Sequence, residues 1–390
     1  MNSKKIYTIL SLILVSASFA TTTYGQTDST KTFTLSGSID TYFHSSFGRT
    51  NYYMGDSHST STSFADLKGF ALGMVNLVAS YQGERAGFVG DVVFGPRGKA
   101  AVFGTASGQA IVNQMYAYYK LTDAVTLNLG QFNTFVGYEV ISPAVNFHYS
   151  TSYLFSWGPF NHTGLRADFD LGNGFVGKLA VMNPTDIVEF NPVNTYTYGL
   201  QVGKTGDKGG IWLNFLYGDQ DGTLDKKGPY QNGSGDFLTS RGTLFQGDIT
   251  ASVNLSDAFS LGLNTSFQTI GAGEHFTAPG KIEKIDADAS TFFGVALYPK
   301  LTLSETFALG LRAEYFKTTN FHFPSQIFGL DGNGDGDVVE FTLSGNYKVG
   351  GLTFIPEIRV DKTSENSFND KDGKAKDLLA TLNMAAVYKF

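Results

Sequence analysis

The sequence predicts an all-β protein: a transmembrane, antiparallel, up-and-down β-barrel of about sixteen strands, with short periplasmic turns and long extracellular loops. Three observations carry this. From residue 33 to the end, segments of roughly ten to fifteen residues alternate apolar and polar side chains, the period of a strand with two unlike faces. The connections between them alternate strictly between short and long. Lastly, the chain ends "LLATLNMAAVYKF", where Leu378, Ala380, Leu382, Met384, Ala386, Tyr388 and Phe390 share one apolar face and Leu379, Thr381, Asn383, Ala385, Val387 and Lys389 share a mixed one.

At the N-terminus, Lys4 and Lys5 precede an apolar run and then small residues, the pattern of a secretory signal peptide over residues 1–25, with cleavage after Ala20 or Gly25. Residues 26–32 are a short periplasmic lead, and the barrel occupies 33–390. The chain has no cysteine, which excludes a disulfide framework and a lipoprotein anchor. Beyond the signal no stretch approaches the roughly 20 apolar residues of a membrane helix. A net charge of -7 argues against a nucleic-acid partner, because a phosphate-binding surface needs a basic excess. With 46 glycines, 34 phenylalanines and 20 tyrosines but only 16% charged residues, the composition suits a lipid-facing sheet.

The short connections are "YQGERAG", "LTDAV", "LGNG", "KTGDKGG", "LSDAF", "LTLSET" and "KVGG", all polar or Gly-rich turn chemistry. The long ones lie near 48–68, 95–108, 133–160, 183–194, 219–240, 271–287, 318–336 and 362–376. In "AFSLGLNTSFQT", Phe259, Leu261, Leu263 and Phe267 are expected to face lipid, with Asn264 and Gln268 facing water in the lumen. In "TLFQGDITASVNL", Phe245, Ile249, Ala251 and Val253 oppose Gln246, Asp248, Thr250 and Ser252. A soluble sandwich also alternates, but gives no reason for all long loops to gather at one end. Since an open sheet edge cannot exist in lipid, the last strand must pair with the first.

The segment "GQFNTFVGYEVISPAVNFHYSTSYLFSWGPFNHTGLRADF", with "GYE" at 137–139, "NFHYSTSYLFSWGPFNHTG" at 146–164 and "VMNP" at 181–184, resembles the OmpL-like β-barrel porins of Bacteroidota. The likeness extends more loosely over the mature chain. It implies an outer-membrane location and a porin fold, and little about substrate. The terminal strand, with Tyr388 and Phe390, resembles the signal by which such barrels meet their assembly machinery.

Residues 133–160 form the third long connection and are unusually aromatic. They read either as a constriction loop bringing Glu139, His148 and Tyr149 to the pore, or as a segment that lies across the rim and rigidifies it. Charges of both signs fall on the luminal faces: Arg166, Asp168 and Asp170; Arg312 and Glu314; Glu357, Arg359 and Asp361; and singly Asp40, Asp91, Lys178, Asp248 and Glu340. They read either as salt bridges bracing the interior or as a polar, water-filled path. In "GLDGNGDGDVVEF", Asp331, Asn333, Asp335 and Asp337 have the spacing that opens a calcium loop, but position 12 is Thr342 where a bidentate Glu belongs; a plain Asp/Gly turn is the other reading. No Ser/His or Asp/His spacing among the six histidines identifies a catalytic constellation, so no enzyme is expected.

The expectation is a passive diffusion channel for small hydrophilic solutes, since sixteen strands are wide enough to leave an aqueous channel. The alternative is a closed barrel whose external loops bind or build at the cell surface. Expected partners are outer-membrane lipid and lipopolysaccharide, the assembly machinery and small solutes. No cofactor is expected apart from calcium at the acidic loop.

Overall fold

In a computed structural model, the described residues are 31–47, 62–102, 111–220, 230–231, 237–238, 242–278, 281–320, 322 and 329–390. The signal peptide and most of the lead, residues 1–30, lie outside them.

Sixteen strands close one barrel: β1 (Thr32–Ser46), β2 (Gly69–Gln82), β3 (Ala86–Phe94), β4 (Val112–Lys120), β5 (Val125–Asn133), β6 (Asn161–Gly172), β7 (Phe175–Met182), β8 (Thr197–Gly206), β9 (Gly209–Gly218), β10 (Leu244–Asn254), β11 (Phe259–Ile270), β12 (Ser290–Thr302), β13 (Phe307–Thr319), β14 (Gly336–Val349), β15 (Leu352–Thr363) and β16 (Leu378–Lys389). Every neighbour pairs antiparallel. β16 closes on β1 with Tyr388 opposite Ile39, and Gly37 and Phe390 exchange both backbone hydrogen bonds at 3.0 and 3.1 Å. No ladder is left without a partner, as a lipid environment requires. Among the described residues three hairpins decorate the long-loop rim, Tyr230–Gln231 with Phe237–Leu238, Gly273–Ala278 with Lys281–Ala287 and Phe368–Asn369 with Ala375–Lys376.

The alternation of faces is the reverse of a soluble sheet. Outward side chains are large and apolar: Phe70 is 93% exposed, Leu72 69%, Leu129 65% and Met384 56%. The inward parity holds Asp40, Asp248, Asn264, Arg312, Glu340, Glu357, Arg359 and Asn383, all buried. Apolar surface outside and charge inside is stable only where the outer solvent is hydrocarbon. Leu378, Met384, Tyr388 and Phe390 accordingly stand on the outer surface, and Leu379, Thr381 and Asn383 inside. The luminal parity of Asn264 and Gln268 is as expected, but water is not their neighbour: both are buried, because a loop occupies the space beside Asn264 and His322 covers Gln268.

Candidate functional site

Residues 134–160 leave β5 and return to β6 through the inside of the barrel. An irregular segment cannot satisfy its backbone in a ladder, so each buried N–H and C=O needs a partner from elsewhere. The wall supplies them by charge. Carboxylates accept the loop's amides: Glu357 from Tyr149 at 2.7 Å and Ser150 at 3.1 Å, Glu314 from Tyr153 at 2.8 Å and Leu154 at 2.7 Å, and Asp248 from Gly137 at 3.1 Å. Arginines donate to its carbonyls: from the wall Arg312 to Ser150 at 2.8 Å and Arg359 to Thr151 at 2.7 Å, and from the second long connection Arg97 to Ile141 at 3.0 Å and Tyr149 at 3.2 Å. Asp40 accepts from the Tyr149 hydroxyl at 2.6 Å.

The loop's own acid completes the cluster. Glu139 takes a salt bridge from Arg312 at 2.8 Å and hydrogen bonds from the Ser152 amide and hydroxyl at 2.7 and 2.6 Å. Arg312 also pairs with Glu340 at 2.9 Å, and Arg359 with Asp361 at 2.8 Å. Ser152 caps the single turn α2 (Tyr153–Ser156) by accepting from Phe155. His148 Nδ1 lies 2.8 Å from the Ser344 hydroxyl, and burial, reinforced by the Arg312 guanidinium, pushes its imidazole down to about 4, so it is neutral at pH 7.

Shape follows the same plan. Phe135, Tyr138, Leu154 and Phe147 seat on Gly199, Gly262, Gly294 and Gly310, which occupy inward positions of β8, β11, β12 and β13. A β-carbon at any of the four would overlap the loop side chain. Tyr138 then stacks on Tyr298 with ring centroids 4.4 Å apart. Above this layer Phe64, Met74, Val93, Ile141, Phe155 and Phe160 form an apolar cluster with the helix α1 (Pro96–Ala101) of the second long connection.

Of the residues singled out from the sequence, Glu139, His148, Tyr149, Arg312, Glu314, Glu357 and Arg359 meet in this one cluster. Arg166 and Asp168 do not. They pair at 2.8 Å on β6, with Lys178 of β7 3.2 Å from the same carboxylate, in a part of the lumen that the loop leaves uncovered. Asp170 caps the β6–β7 turn by accepting from Gly172 at 2.9 Å. Asp331 accepts from the amides of Asn333 and Asp335 at 2.8 and 2.9 Å, and Asp335 from Asn320 at 2.9 Å; Asp337 lies on β14. Among the described residues no three Asp, Glu or His side chains converge as metal ligands.

Sequence reasoning missed Arg97, the four wall glycines, and Asp186, whose carboxylate accepts from Phe160 and Asn161 at 2.9 and 2.8 Å where the loop rejoins the wall. The glycines were legible in principle, as luminal-parity glycines inside strands otherwise rich in large residues. Arg97 and Asp186 lie on connections with no periodicity to mark them.

A closed sixteen-strand barrel with a lipid-facing apolar wall, a polar interior and a long inward-folded loop defines an outer-membrane protein of porin type. Residues 32–390 match the family model for OmpL-like beta-barrel porin-2, BBP2, and the chain belongs to that family. No curated protein sequence matches it. Among solved structures it is similar to the outer-membrane channel DcaP of Acinetobacter baumannii, with 12% identity, a TM-score of 0.58, and 94% of this chain and 99% of that one covered. It is also similar to a loop-deleted OmpT, an outer-membrane protein of Vibrio cholerae, with 13% identity, a TM-score of 0.55, and 93% and 100% covered. OprB of Pseudomonas putida gives 11% identity, a TM-score of 0.52, and 92% and 94% covered. At such identities the likeness is one of fold.

Proposed function

We propose that the protein is a non-enzymatic outer-membrane channel for small hydrophilic solutes, with residues 133–160 as the element that narrows its lumen. The observation that carries this reading is the anchoring of that loop inside the barrel by carboxylates of β1, β10, β13 and β15. A segment held from so many sides controls whatever cross-section remains. The Arg166, Asp168 and Lys178 group supports a polar path beside the loop, since Asp168 keeps 28% of its side chain exposed, against 12% and 11% for its two partners.

A second reading, a closed barrel acting through its external loops, is favoured by one observation: Arg312 and Glu340 have no exposed surface at all. Single-channel recording of the refolded protein separates the two. A parent that conducts, and conducts more after deletion of residues 138–155, supports the channel. A silent parent that conducts only after the deletion supports the closed barrel. The assembly-signal reading of Tyr388 and Phe390 belongs to the same proposal, and is supported by both rings lying on the outer surface, 46% and 43% exposed.

A further inference from the structure

Below the loop, toward the rim that carries the short turns, lies a cavity of about 370 Å³ between the loop segment 143–147 and the wall. In barrels of this kind that rim is periplasmic. Its cations are Lys300 of β12 and Lys348 of β14. The strand between them, β13, presents only Ala308 and Gly310 to the lumen at this level, opposite Asn346 and Lys300 respectively. The Phe147 ring of the loop covers Gly310, and both lysines line the cavity around it. Among the described residues neither lysine forms an ion pair. The cavity has one acid, Glu139, and both its oxygens are already engaged by Arg312 and Ser152.

The polar lining is also unfinished. Asn346 is 7% exposed, and its side-chain oxygen is buried in the cavity wall without a hydrogen-bond partner. A buried amide without partners is costly, and its presence marks a place where something else supplies them. Ser260 and Thr353 bring two hydroxyls to the same lining. Two unpaired cations, an amide offering both a donor and an acceptor, and hydroxyl donors are the set that recognises a small oxyanion carrying both acceptor oxygens and an acidic hydrogen.

We propose that this cavity binds a small phosphate-type oxyanion from the periplasmic side. Lys300 and Lys348 supply the charge and Asn346 the orientation. The inference deepens the channel reading by naming a solute class for it. The cavity lies on the luminal side of the wall, so the anion comes from water and not from a lipid headgroup.

The test uses the full-length mature protein refolded in phospholipid-free detergent and titrated with inorganic phosphate by calorimetry at constant ionic strength. Saturable one-to-one binding is expected, weakened at least about tenfold in Lys300→Gln/Lys348→Gln and in Asn346→Leu, as loss of hydrogen bonds to a charged group implies. Lys371→Gln, on the exposed turn between Phe368–Asn369 and Ala375–Lys376 and away from the cavity, is expected to bind as the parent does. Retention of phosphate by the double lysine variant, or equal competition from chloride, would overturn the site. So would phosphate binding that appears only when phosphatidate is added to the micelles. Single-channel recording on the same preparations keeps the two readings apart. Conductance without phosphate binding removes the site and leaves the channel; phosphate binding without conductance leaves the site and removes the channel.

Discussion

Two sectors of the lumen contain the same chemistry in different solvents. Between β13 and β14, Arg312 meets Glu340 at 2.9 Å with both side chains fully buried under the third loop. On β6, Arg166 meets Asp168 at 2.8 Å, but the two side chains keep 12% and 28% of their surface. The distances agree to 0.1 Å and the residue types are nearly the same. What differs is the cover overhead, complete in one sector and partial in the other. Hydration, not contact length, therefore sets what each pair is worth: a desolvated charge is held only by its partners, while a wet one can fall back on solvent.

The largest expected effect tests that contrast directly. Arg312→Ala strips the partner from Glu340 and Glu139 and the donor from the Ser150 carbonyl, and is expected to cost about 3–5 kcal/mol of unfolding free energy. Arg166→Ala leaves Asp168 with Lys178 and with 28% of its surface, and is expected to cost less, about 1 kcal/mol. Urea unfolding of both variants in the same micelles is the measurement, and equal losses would break the distinction between the sectors.

Next in size is the fit of loop to wall in the dry sector. Gly310→Val is expected to cost about 1–3 kcal/mol, because its side chain would occupy the volume of the Phe147 ring. Phe147→Ala on that background should recover part of the loss, and a coupling energy below about 0.5 kcal/mol in the double-mutant cycle would mean that the two do not touch in solution.

A smaller effect belongs to Asp186, the anchor at the end of the loop nearer the wet sector. Burial pushes its carboxyl up to about 7, against the two amides that favour its charged form. The folded state thus holds this proton more tightly than the unfolded chain. Its contribution to stability is full below pH 4 and is lost as the pH rises through 7. Protection of the Phe160 and Asn161 amides against hydrogen exchange, corrected for intrinsic rates, is expected to fall between about pH 4 and 7. Asp186→Asn, which keeps an acceptor without the titration, should abolish that fall; an unchanged pH profile in the variant would assign it to another group.

The smallest effect is expected at the Asp331 turn, outside both sectors. Backbone hydrogen bonds to Asp331 already order it. For a site of roughly 10⁻³ M affinity, millimolar calcium should slow limited proteolysis between 329 and 338 only about twofold. Protection of tenfold or more, lost in Asp335→Ala, would establish a full calcium site there.

Much of this protein is determined by its sequence alone. A strand turns successive side chains to opposite faces whatever it packs against, so the parity of Leu378 to Phe390, the luminal positions of Arg312 and Glu314, and the count of sixteen strands are all local properties. Closure follows from the lipid, which tolerates no open edge. The state of the luminal charges is different in kind. Glu357 binds an amide 208 residues away, and Arg359 a carbonyl equally distant. Nothing in the pattern around either residue distinguishes it from Arg166 or Asp168, which keep part of their surface. Only the tertiary path of residues 134–160 decided which charges became dry partners of an irregular backbone and which stayed in solvent, because desolvation depends on what covers a group and not on the strand that carries it.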